Sequence, residues 1–159
     1  MTTNALPPAL AEIVDDFQAL EEPDRLQLLL EFSRALPALP ERLNDHPELL
    51  EQVVECQTPL FLTVENEKHD DGDVIRLFFR APPEAPTTRG FASVLHEGLD
   101  GLSAAVILAV PDDMPDLLGL TRAITPLRMR GMAAMLGRIK RKVAAVTLQS
   151  AHQHQPSQI

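Results

Sequence analysis

Cys56 is the only cysteine in the 159-residue chain and lies in Val53-Val54-Glu55-Cys56-Gln57-Thr58-Pro59. A single thiol excludes an internal disulfide, and no Cys/His cluster with zinc-site spacing accompanies it. Composition leaves two readings open: a small buried hydrophobe, or a nucleophile acting through its thiolate. The polar neighbours Glu55 and Gln57, followed by Thr58-Pro59, favour a loop tip, where a rigid scaffold commonly presents reactive groups. The Glu55 carboxylate itself disfavours the thiolate beside it.

Arg128 is the second residue in an unusual position. It precedes Met132 by four residues and Met135 by seven, so helical spacing puts it on the apolar stripe of its helix, where a guanidinium needs a partner. Arg130 and Arg138 read as ordinary solvated charges. The five histidines form no metal pattern: His46, His69 and His96 are isolated, and His152 and His154 lie near the end. His96 is the best-placed histidine for a Cys/His hydrolase dyad, but nothing in the sequence ties it to Cys56. The seven glycines are scattered and build no phosphate loop. No metal and no resident cofactor are expected.

The elements that must position these residues are legible from periodicity. Leu10, Ile13, Val14, Phe17 and Leu20 mark one amphipathic helix; Pro23 opens a second, with Leu26, Leu29, Leu30 and Phe32 on its buried side. The pattern then changes to period two. Leu60, Leu62 and Val64 share one face of a strand, and Ile75, Leu77 and Phe79 share one face of another across an Asp71-Gly72 connection. Val53-Val54 reads as a short strand before Cys56. After the proline-rich stretch 81–86 the signals are helical: Phe91, Val94 and Leu95; then Ser103 as a cap; then Pro115 to Leu118. The last helix is clearest, with Thr125 as cap, Pro126 at the first position, and a stripe of Met132, Met135, Leu136, Ile139 and Val143. Helices, an antiparallel hairpin and helices again predict an α+β domain, a small antiparallel sheet covered on one face by helices. The expected organisation is a flexible start (1–8), a single domain (9–146) and a disordered tail (147–159).

Hydrophobic residues make up 45 % of the chain, with Trp and Tyr absent, so the core must be mainly aliphatic. The net charge of -9 is unevenly spread. All 23 acidic residues and seven of the 14 basic ones lie at or before Asp116, leaving -16 there and +7 beyond it. The basic run Arg138, Lys140, Arg141, Lys142 lacks interleaved aromatics and belongs to an acidic chain, which argues against nucleic acid and for a helix face turned toward the acidic part of the domain. No apolar run reaches the roughly 18 residues that span a bilayer, and the opening residues lack a basic, apolar leader, so no membrane association and a cytoplasmic location are expected.

Three segments together resemble the SufE family. Glu55-Cys56-Gln57-Thr58 is similar to that family's Gly-Cys-Gln-Ser loop, with Phe61 where the family often has Trp. Glu84 to Gly90, running into Phe91, resembles an acidic residue, a spacer and a Lys/Arg-Gly opening a helix. Thr125-Pro126-Leu127-Arg128-Met129-Arg130-Gly131-Met132 matches a Thr/Ser-Pro-x-Arg-x-x-Gly-Leu helix start. The resemblance runs in order from about Leu10 to Val143. It implies the SufE/IscU-like fold and a protein that is not itself an enzyme but a sulfur acceptor and activator. Cys56 would take persulfide sulfur from a pyridoxal-phosphate-dependent, SufS-like cysteine desulfurase and pass it to an Fe-S scaffold complex. Arg128, Glu55, Gln57 and Glu84 are the implied partner-binding residues. Glu55 departs from the family's glycine, which adds a charge beside the thiol and removes backbone freedom. An IscU-like scaffold would need several thiolates, and a non-catalytic interaction module would need none; both stand as alternatives.

Overall fold

The computed structural model describes residues 6–154. Its helices are α1 (Pro8–Gln18), α2 (Glu22–Ser33), α3 (Glu41–Asn44), α4 (Pro86–Leu99), α5 (Ala104–Leu108) and α6 (Pro126–His154). Strands β1 (Glu51–Gln52), β2 (Phe61–Glu67) and β3 (Val74–Arg80) form one antiparallel sheet in the order β1-β2-β3. Short 3-10 turns at Pro47–Leu49, Val54–Cys56 and Met114–Leu118 complete the described elements.

The hairpin register pairs Phe61 with Arg80, Val64 with Leu77 and Glu67 with Val74. This register puts Leu62, Val64, Ile75, Leu77 and Phe79 on one buried face. On the opposite, half-exposed face, Arg80 lies over the Phe61 ring at 4.8 Å and Arg42 over Phe78 at 5.5 Å, so cations cover the aromatic surface that the helices leave open. The covered face packs mainly against α6, whose Met132, Met135, Leu136, Ile139 and Val143 are all buried. Helices α1 and α2 pack on α4 and extend the aliphatic core around Phe17 and Phe91. The expected α+β architecture is the observed one.

Several local expectations need correction. The strand before Cys56 is Glu51–Gln52, not Val53-Val54. Val53 still donates its amide to Leu60, but the chain then tightens into the 3-10 turn, which leaves Val54 62 % exposed. At the N-terminal end, Leu6 and Pro7 are already buried and helix starts at Pro8, so order begins before the expected boundary at residue 9. At the other end α6 continues past Thr147 to His154, where a disordered tail was expected. No proline interrupts the helix before Pro156, and Thr147 Oγ1 donates back to the Val143 carbonyl at 2.7 Å within it. The outermost parts of the expected flexible ends, 1–5 and 155–159, lie outside the described residues.

Candidate functional site around Cys56

Cys56 closes the 3-10 turn Val54–Cys56, between the end of β1 and the start of β2. Two short backbone bonds define this turn, Cys56 N–H to the Val53 carbonyl and Gln57 N–H to the Val54 carbonyl, each 3.1 Å. Gln57 then adopts φ 58°, ψ 15°, and among the described residues it is the only non-glycine with positive φ. A left-handed residue reverses the chain sharply at a cost of about 1 kcal/mol. The reversal points Gln57 outward and returns Cys56 toward the protein.

The thiol is therefore at a loop tip yet only 7 % exposed. It packs on the second turn of α6, where its S–H donates to the Gly131 carbonyl at 3.5 Å. Glycine allows this close approach: a Cβ on residue 131 would stand 3.1 Å from Cys56 Cα and 3.2 Å from the Glu55 carbonyl oxygen, so the turn would have to give slightly. The Gly in the Arg-x-x-Gly pattern is thus the seat of the cysteine turn. Thr58 Oγ1, 3.4 Å from Thr88 Oγ1, ties the far side of the turn to the first turn of α4.

Two voids border the sulfur. A cavity of about 10 Å³, room for roughly one water-sized group, is lined by Cys56, Thr87, Thr88, Arg128, Met132 and Met135. A larger cleft of about 220 Å³ runs along Glu55, Gln57, Thr58, Thr125 and Leu127, again with Cys56 and Arg128 on its wall. Burial, with the Glu55 carboxylate adding to it, pushes the thiol up to about 11, although the Arg138 guanidinium pulls the other way. In this resting arrangement Cys56 is a protonated, sheltered thiol.

The structure treats the predicted site residues differently. Cys56, Glu55, Gln57 and Arg128 meet at one cleft. Glu84 is exposed in the turn before α4 and lines neither void. Arg128 shares the face of Met132 and Met135, with which it lines the smaller void, but it is exposed and not buried as its spacing suggested. It belongs to the first turn of α6, and full burial on this face begins one turn later, at Gly131 and Met132. Among the described residues no carboxylate pairs with its guanidinium. His96 packs edge-on against Phe79 and faces Asp100, so it is no partner for Cys56.

Sequence reasoning missed Arg138, which is no solvated charge. Its side chain is 15 % exposed and bridges Glu51 on β1 and Glu55 in the cysteine turn, the latter at 2.6 Å. Lys142 reaches the other Glu51 oxygen at 3.2 Å. The hydrogen bond from Arg138 holds Glu55 below the ordinary carboxylate range. Glu51 is also lowered: burial raises it, but the bonds from Arg138 and Lys142 outweigh burial. The available signal was spacing, because Gly131, Met135, Arg138 and Lys142 follow one another at four, three and four residues along one helix face.

The SufE family profile, described as an Fe-S metabolism associated domain, matches residues 11–143, the span that contains the turn, its α6 seat and both voids. The chain belongs to the SufE family. An uncharacterized SufE-like protein of Mycobacterium tuberculosis is 55 % identical over 139 residues, covering 87 % of this chain and 94 % of that one. The SufE-like protein 1 of Arabidopsis thaliana, chloroplastic/mitochondrial, is 28 % identical over 138 residues, 86 % of this chain and 35 % of that protein. Among solved structures, that of a hypothetical protein from Thermus thermophilus superposes with a TM-score of 0.74 at 37 % identity, covering 90 % of this chain and 98 % of the other. Membership of the SufE family associates the chain with Fe-S metabolism. No described helix is long and apolar enough to cross a membrane.

Proposed function

We propose that this SufE-family chain carries sulfur for Fe-S cluster assembly as a persulfide on Cys56. The observation that carries the reading is the setting of the one thiol: a tight loop tip seated on Gly131, beside a void of about one atom's size. In the proposed step the Cys56 thiolate attacks the terminal sulfur of a persulfide on a SufS-like, pyridoxal-phosphate-dependent cysteine desulfurase. A new S–S bond forms on Cys56, the donor's S–S bond breaks, and the donor cysteine leaves as thiolate. The terminal sulfur keeps its proton, so the exchange is balanced without an oxidant or a cofactor on this chain. A second transfer hands the sulfur to an Fe-S scaffold complex.

At rest the thiol is 7 % exposed and held protonated, so in this reading the turn swings out to meet its donor. Hydration then removes the burial penalty, which is the largest cause of the raised thiol. Arg128 and Gln57, both exposed on the same cleft, are the proposed contacts for the incoming desulfurase, with Glu55 on the turn and Glu84 at the periphery. After loading, the turn folds back, and the void lined by Met132 and Met135 shelters the added sulfur from stray thiols and oxidants.

The test is intact-protein mass after incubation with a cysteine desulfurase and cysteine. Added sulfur that reductant removes, present in wild type and absent in Cys56→Ser, is the expected result. No added sulfur with the cognate desulfurase, together with intact binding to it, would make the chain a non-catalytic interaction module of the same assembly system.

A further inference from the structure

The cysteine turn is weakly held by its own backbone. Its two internal hydrogen bonds are of the short 3-10 kind, its exit residue Gln57 is in the left-handed region, and Val54 beside it faces solvent. What fastens it from outside is unequal. Thr58 and Thr88 make one long neutral contact of 3.4 Å, and the Cys56 S–H makes one weak bond of 3.5 Å to the Gly131 carbonyl. Arg138, by contrast, has one arm on each of two carboxylates: Nη1 donates to Glu51 and Nη2 donates to Glu55 at 2.6 Å. Glu51 is fixed in the sheet, paired with Leu62, and is further held by Lys142. Glu55 belongs to the turn and its side chain is 45 % exposed. The guanidinium therefore joins an anchored carboxylate to a movable one, while its Nε is buried without a hydrogen-bond partner.

We infer that Arg138 is a positioning residue, a latch that keeps the Cys56 turn closed on α6 and that must release Glu55 before the thiol can react. The latch gives the chain a resting state in which its nucleophile is shielded, and the arm on Glu55 is the one open to solvent and to an arriving partner. The inference rests on the sulfur-acceptor reading only for its purpose; closure and release are measurable without any sulfur donor.

Two roles for Arg138 predict opposite signs, which makes the experiment decisive. If Arg138 acted on Cys56 only through its charge, removing it would raise the thiol further and slow alkylation. If it latches the turn, Arg138→Gln exposes the thiol and speeds alkylation by iodoacetamide at pH 7.5 by about fivefold, the scale of a partly exposed charge pair. Arg138→Lys, which can hold one carboxylate but not span two, should recover part of the closure. Raising the salt concentration should accelerate wild type and leave Arg138→Gln nearly unchanged. Hydrogen exchange supplies the second readout: the Cys56 and Gln57 amides should exchange faster in Arg138→Gln and in Glu55→Gln, while amides around Ile139 keep their protection. If Arg138→Gln fails to fold, Glu55→Gln carries the test, because thiol electrostatics alone would leave those two amides unmoved. Slower alkylation in Arg138→Gln, or unchanged exchange at Cys56 and Gln57 in Glu55→Gln, overturns the latch. Persulfide loading measured on the same variants separates the two ideas. Faster alkylation without any loading upholds the latch and sinks the sulfur-acceptor reading, and normal loading without faster alkylation does the reverse.

Discussion

Burial and the neighbouring Glu55 carboxylate both push the Cys56 thiol up to about 11, so its thiolate fraction at neutral pH is roughly a hundredfold below that of an ordinary cysteine. A proton bound more tightly in the folded than in the unfolded chain makes a contribution to stability that is complete below the unfolded value. That contribution is lost as pH rises through the folded one. The window is therefore from about pH 9 to about pH 11. The wild-type urea midpoint should fall across this window, and Cys56→Ala, which has no thiol to titrate, should lose that part of the slope. In the same range the alkylation rate of the free protein should still be climbing at pH 10. A rate that levelled off near pH 8.5 would mean that the thiol is hydrated at rest.

At the scale of elements, what matters is how a turn of a few residues meets a long helix. Gly131 lets the two backbones touch, and the consequence of filling it can be separated into two parts. Alanine is favoured over glycine inside a helix by about 1 kcal/mol. The added Cβ also meets the backbone of Glu55 and Cys56 at distances that force the turn to give by a few tenths of an ångström. Gly131→Ala should therefore leave global stability within about 1 kcal/mol of wild type, since the two effects oppose each other. Cys56 should nevertheless alkylate faster, because the strain falls on the turn and not on the helix. A loss of several kcal/mol on the scale of core disruption would place Gly131 in the packing of the whole domain.

Over the whole molecule, the uneven charge of the sequence becomes a set of contacts. The basic final helix lies against acidic residues drawn from distant segments: Arg138 and Lys142 on Glu51, Arg138 on Glu55, and Lys140 on Asp112 at 2.8 Å. Both Glu51 and Glu55 are held below the ordinary carboxylate value. The stability they contribute is present above the unfolded value of about 4.5 and is lost as pH falls through their lowered folded values. The urea midpoint should drop between pH 5 and pH 3. The drop should be shallower in the double variant Glu51→Gln, Glu55→Gln, and an identical slope in both proteins would show that these carboxylates do not couple to folding.

The sequence by itself determined the fold class, the order of elements and the residues of the helical and strand faces, because apolar periods of 3.6 and 2 depend only on local geometry. The stripe from Met132 to Val143 and the alternation through Leu62 and Leu77 are of this kind. It also singled out Cys56, by its uniqueness and polar setting, and Gly131, within a motif. Tertiary structure decided the rest. Periodicity puts Arg128 on the face of Met132 and Met135 but cannot say how deeply each turn is covered, and in the first turn of α6 Arg128 is exposed. Arg138 looked solvated because the two carboxylates that surround it are 87 and 83 residues away in the chain. Whether a lone thiol at a loop tip is open or sheltered is decided by the left-handed step at Gln57 and by the helix it turns back to meet.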